Sequence, residues 1–87
     1  MEYCYIVSEE TDEFCFIGAF YDKDLALEAV EEYMAKLERA AEIADRDFTR
    51  KDCFFCDIET DVRWVWCSDY FGKYIYIDRV RVNTLMV

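Results

Sequence analysis

Cysteine pairs and carboxylate clusters are the features of this sequence that could do chemistry. Cys53 and Cys56 stand in "CFFC", the spacing of half a zinc site or of a redox-active dithiol. The chain has no histidine and no second pair of cysteines at this spacing. In a strand the two side chains would point to opposite faces and share no ligand. The favoured interpretation is therefore two small apolar positions, and a metal site with Cys67 stays open only if residues 53–56 form a turn.

Catalytic machinery is hard to assemble from these residues. The absence of histidine removes the common acid–base pairs and triads, and the sequence contains no glycine-rich phosphate loop and no nucleophile elbow. Asp22 and Asp24 form the best-placed carboxylate pair, but helix capping already explains both and their spacing is not that of a calcium loop. We therefore predict a protein without enzymatic activity, cofactor or metal.

The acidic residues are concentrated at one end of the chain. "SEETDE", residues 8–13, holds four carboxylates, and residues 1–32 carry ten acidic residues against one lysine, a net charge of −9. If the hairpin turn and the first turns of the following helix lie at the same end or on adjacent edges of the domain, they form an acidic pole that steers the chain toward a basic partner. The alternative is a charge that only keeps the chain soluble. The residues predicted to bind a partner are Glu9, Glu10, Asp12, Glu13, Glu28, Glu31 and Glu32.

Composition limits the classes of function further. The net charge of −10 argues against direct binding of nucleic acid through a basic face. With 87 residues, 55% of them hydrophobic, and no proline, residues 1–87 are expected to form a single domain. An odd number of cysteines and no recognisable export signal favour reduced thiols in the cytoplasm, and no apolar run is long enough to span a membrane.

Hydrophobic periodicity predicts the elements. Aromatic and branched runs at residues 3–8 and 14–21 are typical of an antiparallel hairpin, and three- and four-residue spacing then indicates a helix of about 22 residues capped by Asp22. Three further strands are predicted at residues 53–59, 62–67 and 73–82. The expected fold is α+β, in the order ββαβββ, with an antiparallel sheet of about five strands and one long amphipathic helix packed on one face.

Alternation along the strands predicts which side chains share a face. Trp64 and Trp66 share one face of their strand, and if this face points away from the helix it is a candidate aromatic interface for a partner or a homodimer. In the last strand, Ile75 and Ile77 alternate out of phase with Val80 and Val82, so a bulge near Asp78 is needed to bury all four.

Two acidic and two basic residues of the strands also match in spacing. Asp57 and Glu59 share one face of their strand, as do Arg79 and Arg81 of the last strand. If these two strands are adjacent, the residues form cross-strand ion pairs.

The segment "YIVSEETDEFCFIGAFYDKDLALEAVEEYMAKL", with the final "YIYIDRVRVN", resembles small phage-encoded proteins in which a hairpin leads through "G-x-F-x-D/S-x-x-x-A" into one helix. The matching residues are Gly18, Phe20, Asp22 and Ala26. The likeness covers the first half of the chain and the last strand. Small acidic phage proteins of this size include anti-CRISPR and related anti-defence inhibitors, which bind a host nuclease complex and often resemble DNA.

The resemblance implies an inhibitor that acts in the bacterial host cytoplasm on a basic, nucleic-acid-handling protein such as a CRISPR effector. No site residue is carried over from that class. The alternative function is a structural or assembly module that self-associates through an aromatic face of the sheet.

Overall fold

The computed structural model describes residues 2–82 and confirms the predicted α+β class. A single long helix follows two strands, and three strands follow the helix, so the order ββαβββ is also confirmed. Residues 1 and 83–87, which the single-domain prediction includes, lie outside the described part. The elements are β1 (Glu2–Glu10), β2 (Phe14–Phe20), α1 (Lys23–Ala44), a 3-10 turn (Arg50–Asp52), β3 (Phe55–Glu59), β4 (Arg63–Ser68) and β5 (Lys73–Val82).

The five strands form one antiparallel sheet in the order β2-β1-β5-β4-β3. The first and last strands of the chain are therefore central neighbours, paired without interruption from Glu2 opposite Val82 to Glu10 opposite Tyr74. The edges of the sheet are β2 and β3. No helix within residues 2–82 combines the length and apolar content needed to cross a membrane.

Helix α1 packs on one face of the sheet, as predicted. Its start is capped by Asp22, whose side chain accepts a hydrogen bond of 2.7 Å from the backbone N–H of Asp24. Ala26 and Val30 are completely buried against a core that includes Ile75 and Ile77. Burying one such aliphatic side chain stabilises the fold by roughly 1.5–3 kcal/mol, so this stripe accounts for the docking of the helix.

Strand β5 does not contain the predicted bulge. Its register with β1 is unbroken past Asp78, so Val80 and Val82 remain on the face away from the helix, where both are exposed. The bulges lie elsewhere, and one of them makes Ile17 the extra residue of β2 opposite β1. Gly18 follows directly, at the place where a Cβ atom would come within 3.3 Å of the Phe20 ring.

The predicted cross-strand ion pairs are also absent. Strand β3 pairs with β4 and not with β5, so Asp57 and Glu59 do not face the arginines of β5. Instead, Asp78 of β5 pairs with Arg63 of β4 at 3.2 Å, and the Arg79 guanidinium lies 4.2 Å from the centre of the Tyr3 ring. The strand order, which the sequence pattern does not encode, decides these contacts.

The turn between β4 and β5 depends on Gly72. This residue has a φ angle of +62°, and its N–H donates to the carbonyl oxygen of Ser68 at 2.9 Å. The buried Ser68 in turn donates its hydroxyl to the carbonyl oxygen of Asp52 at 2.6 Å. The turn therefore fixes both the β4–β5 hairpin and the segment that leads into β3.

Substituting Gly72 by alanine is expected to lower the free energy of unfolding by about 1–2 kcal/mol, because a Cβ atom is disfavoured at positive φ. Nothing lies within 4 Å of the added Cβ atom, so the backbone angle alone sets the cost. Gly72→Asn should cost less, since asparagine tolerates this region. Urea denaturation of the three proteins measures the difference, and equal stability of Gly72→Ala and wild type would contradict the expectation.

Candidate functional site

The sheet face that points away from α1 carries a row of exposed aromatic residues. Because Val7, Ile75 and Ile77 point toward the helix, their neighbours along the strands point away from it. Relative exposure is 64% for Phe14, 65% for Phe16, 53% for Phe55 and 48% for Tyr74. We call this surface the outer face and define it by six residues, Phe14, Phe16, Phe55, Ile58, Tyr74 and Tyr76.

Three rings of the outer face, those of Phe14, Tyr74 and Tyr76, are held by contacts among themselves. Tyr76 stacks with Phe14 and with Tyr74, at centroid distances of 6.4 and 6.3 Å, and the Arg63 guanidinium lies 4.7 Å from the centre of the Tyr76 ring. The Tyr76 hydroxyl donates to Glu10 at 2.8 Å, and burial together with this bond raises the pKa of Tyr76 to about 12. Rings already held in place lose less conformational entropy when a partner covers them.

The centre of the outer face is filled rather than hollow. Ser8 of β1 lies opposite Phe16 on one side and Tyr76 on the other, and it is completely buried. Its hydroxyl has no hydrogen-bond partner within the described residues. Val65 of β4, opposite Tyr76, is also buried. Small side chains beneath large ones therefore let the rings close into a continuous surface.

The outer face is nearly neutral. Arg63 and Asp78 lie on it as an ion pair, and Glu10 accepts the hydrogen bond from Tyr76. The negative charge of the chain is thus carried mainly by other surfaces. An apolar centre bordered by a few polar groups is the usual layout of a protein-binding surface, in which a desolvated core is surrounded by a polar rim.

Among the seven acidic residues predicted to bind a partner, Glu9 has an internal role. Its side chain points toward the helix, where it accepts hydrogen bonds from the Tyr33 hydroxyl and, at 3.0 Å, from Lys73 Nζ. Burial alone would raise the pKa of Glu9, but the bonds from Tyr33 and Lys73 outweigh it and hold this pKa below its ordinary value. The hydrogen bond to Glu9 raises the pKa of Lys73. The pKa of Tyr33 is also raised, mainly by burial and secondly by the Glu9 carboxylate. Glu9 therefore ties the sheet to the helix.

The other six acidic residues lie in three parts of the fold. Glu10 belongs to the border of the outer face, and Asp12 and Glu13 lie in the exposed turn between β1 and β2. Strand β2 runs from this turn to the opposite end of the sheet, where α1 begins, so the turn and the start of the helix lie at opposite ends of the sheet. The three remaining residues are exposed along the helix and are Glu28, Glu31 and Glu32.

Trp64 and Trp66 do not have the orientation that the predicted aromatic interface requires. Both point toward the helix side, where Trp64 is 7% exposed within the core and Trp66 packs against that core. The Tyr5 ring lies 6.3 Å from the Trp64 ring. The exposed aromatic face of the sheet is instead built by phenylalanine and tyrosine. Its residues could have been found from the same alternation, since Tyr74 and Tyr76 are out of phase with Ile75 and Ile77.

The cysteines are free thiols without a shared site. Cys53 follows the 3-10 turn, and Cys56 lies in β3, where its thiol donates to the carbonyl oxygen of Ile58. The pKa values of three thiols are raised, mainly by burial and secondly by nearby carboxylates. These thiols are Cys53, Cys56 and Cys67. No group of three or more metal-binding side chains occurs within residues 2–82. These shifts favour the protonated thiol over the thiolate, which is the form that acts as nucleophile.

The comparison with known proteins assigns no relative. No family model matches the sequence, and neither a curated protein nor a solved structure matches it significantly.

Proposed function

We propose that this chain is a non-enzymatic binding protein that covers part of a partner protein with its outer face. The observation that supports this function is the exposure of four aromatic rings on one sheet face, Phe14, Phe16, Phe55 and Tyr74. Together they leave on the order of 500 Å² of aromatic surface in water, as much as the largest apolar patch of an ordinary monomer. Such a surface is costly to hydrate and gains free energy when a partner covers it.

Charge favours a basic partner. With a net charge of −10, the chain is attracted to positively charged surfaces and repelled by nucleic acid. A host protein that handles nucleic acid, such as a CRISPR effector, carries surfaces of the required sign. The resemblance to small phage proteins supports an inhibitor of such a complex, acting in the host cytoplasm.

The proposed mechanism differs from simple nucleic-acid mimicry, because the carboxylates and the outer face have separate roles in binding. Exposed carboxylates such as Asp12, Glu13 and Glu31 would speed the encounter with a basic protein, because rim charges act mainly on association rates. The outer face would supply the affinity, because buried aromatic anchors dominate binding energy at most interfaces.

Affinity capture tests the proposal. Immobilised wild type is exposed to a bacterial lysate that contains CRISPR effectors, beside a variant with Phe55→Ser and Tyr74→Ser, two outer-face residues on either side of Cys67. We expect the wild type to retain a basic nuclease complex and the variant to lose at least about tenfold in affinity. A third protein, with Asp12→Asn and Glu13→Gln, should bind more slowly.

The matched control is Ile43→Ser, which alters a side chain that is 82% exposed on the helix, outside the outer face. This control should retain the complex like the wild type. Capture by the wild type should weaken as salt concentration rises, since screening reduces attraction between opposite charges. Equal retention by wild type and the Phe55/Tyr74 variant, or retention that does not respond to salt, would contradict the proposal.

A further inference from the structure

Strand β2 presents an edge suited to pairing with another strand. It lies at the end of the sheet and, within residues 2–82, pairs with β1 only. Its seven residues, "FCFIGAF", include no charged residue and no proline, and all are exposed or half-buried. The free backbone groups of an uncharged edge strand are a template on which a further strand can add.

The opposite edge of the sheet is protected. Strand β3 has five residues, two of which, Asp57 and Glu59, are acidic, and its register with β4 is interrupted next to Asp57. Short length, charge and bulges are the features by which proteins prevent edge pairing. Strand β2 also has a bulge, at Ile17, but it lacks charge and is longer. The two edges therefore differ, and β2 is the open one.

We infer that β2 pairs with β2 of a second copy of this chain in an antiparallel arrangement, forming one continuous ten-stranded sheet from two five-stranded ones. Two identical strands that pair antiparallel are related by a two-fold axis, so the same edge serves both copies. This axis is perpendicular to the sheet, and it therefore keeps both helices on one side and both outer faces on the other.

Packing supports a second copy as the occupant, whereas charge opposes it at low salt. Phe14 and Phe16, which are among the most exposed rings of the chain, lie beside the seam on the outer face and would be covered in part by the second copy. The strand itself is uncharged, but Glu13 precedes it and Asp22 follows it. In an antiparallel pair these two acidic ends approach each other, so salt should strengthen the dimer by screening their repulsion.

The inference does not rest on the proposed function. Binding to a basic partner weakens with salt, whereas this dimer strengthens, and the Phe55 and Tyr74 substitutions lie away from the β2 edge. The capture experiment and the dimer experiment can therefore fail independently. If both succeed, the dimer presents two outer faces side by side to its partner.

Sedimentation equilibrium over a concentration series, at low and high salt, tests the dimer. The informative variant is Ile17→Lys on the β2 edge, and the matched control is Ile58→Lys on β3, where the native side chains are 39% and 43% exposed. We expect the wild type and the control to dimerise, more tightly at high salt, and Ile17→Lys to raise the dissociation constant at least about tenfold. A lysine at an edge bulge has to be desolvated when a second strand arrives.

Hydrogen exchange on the wild type gives a second readout that needs no variant. Amide protection within residues 14–20 should rise with protein concentration, while protection within residues 55–59 should not. A wild type that stays monomeric at all concentrations would overturn the inference. A dimer that weakens with salt would also overturn it. So would a dimer that Ile58→Lys abolishes and Ile17→Lys leaves intact, since this result would place the contact at the β3 edge of the sheet.

Discussion

Replacing Trp64 by alanine is expected to lower the free energy of unfolding by about 3–5 kcal/mol, because a large buried side chain is lost and a cavity is left behind. The indole is 7% exposed and belongs to the same core cluster as Val30 and Ile77. It also contacts the Tyr5 ring, and the Lys23 amino group lies 6.0 Å from its centre. A small domain has only about 5–15 kcal/mol of stability in total, so the variant should be partly unfolded at room temperature.

Urea denaturation followed by far-UV circular dichroism measures this loss. Phe55→Ala is the matched control, since it also removes an aromatic ring from a strand, but one that is 53% exposed. The control should cost less than about 1 kcal/mol, because most of its ring is already in water. A Trp64→Ala protein that keeps wild-type stability but loses self-association would restore the tryptophans as an interface and contradict their placement in the core.

The helix and the order of the elements could be predicted because their signals are local. Asp22 caps the helix through a bond to Asp24, two residues away, and Ala26 and Val30 are spaced by one helical turn. Such patterns depend only on neighbours in the chain. For this reason the predicted start of α1 agrees with the structure, as does its length of 22 residues.

The choice of buried face could not be predicted in the same way. Alternation shows that Trp64 and Trp66 share a face, but only the position of the helix decides whether this face is buried. The same limit applies to Val80 and Val82, which are apolar and yet remain on the outer face in a strand without a bulge. In both cases the deciding contact lies between elements that are distant in the chain.

The role of Glu9 shows this limit within the candidate site. Glu9 and Glu10 are consecutive, and on a strand they point to opposite faces. The partners of Glu9 are 24 and 64 positions away in the sequence, at Tyr33 and Lys73. A carboxylate that seemed part of an acidic surface is therefore one of the links between sheet and helix, while Glu10 supports the outer face through Tyr76.

Replacing Glu9 by glutamine is expected to lower the free energy of unfolding by about 1–3 kcal/mol near pH 7, because a partly buried Lys73 loses its counter-charge. The side chains of Lys73 and Glu9 are only 19% and 16% exposed, so solvent screens this pair less than a surface ion pair. Glu13→Gln is the matched control, since its carboxylate is exposed in the turn and should change stability little. Combining Glu9→Gln with Lys73→Met should recover part of the loss, because no unpaired charge then remains.

The dependence of this loss on pH identifies its cause. Folding lowers the pKa of Glu9. The contribution of Glu9 to stability is therefore fully present above its pKa in the unfolded chain, and it is lost as pH falls through its lower pKa in the folded protein. Folding raises the pKa values of Lys73 and Tyr33. Their contribution to stability is therefore fully present below the pKa values of the unfolded chain, and it is lost as pH rises through the pKa values of the folded protein. Urea denaturation from about pH 3 to pH 7 should show the stability of wild type and Glu9→Gln converging toward the acid end. A difference that stays constant over this range would mean that the carboxylate acts through its shape and not through its charge, and the ion pair between Glu9 of β1 and Lys73 of β5 would then contribute nothing to stability.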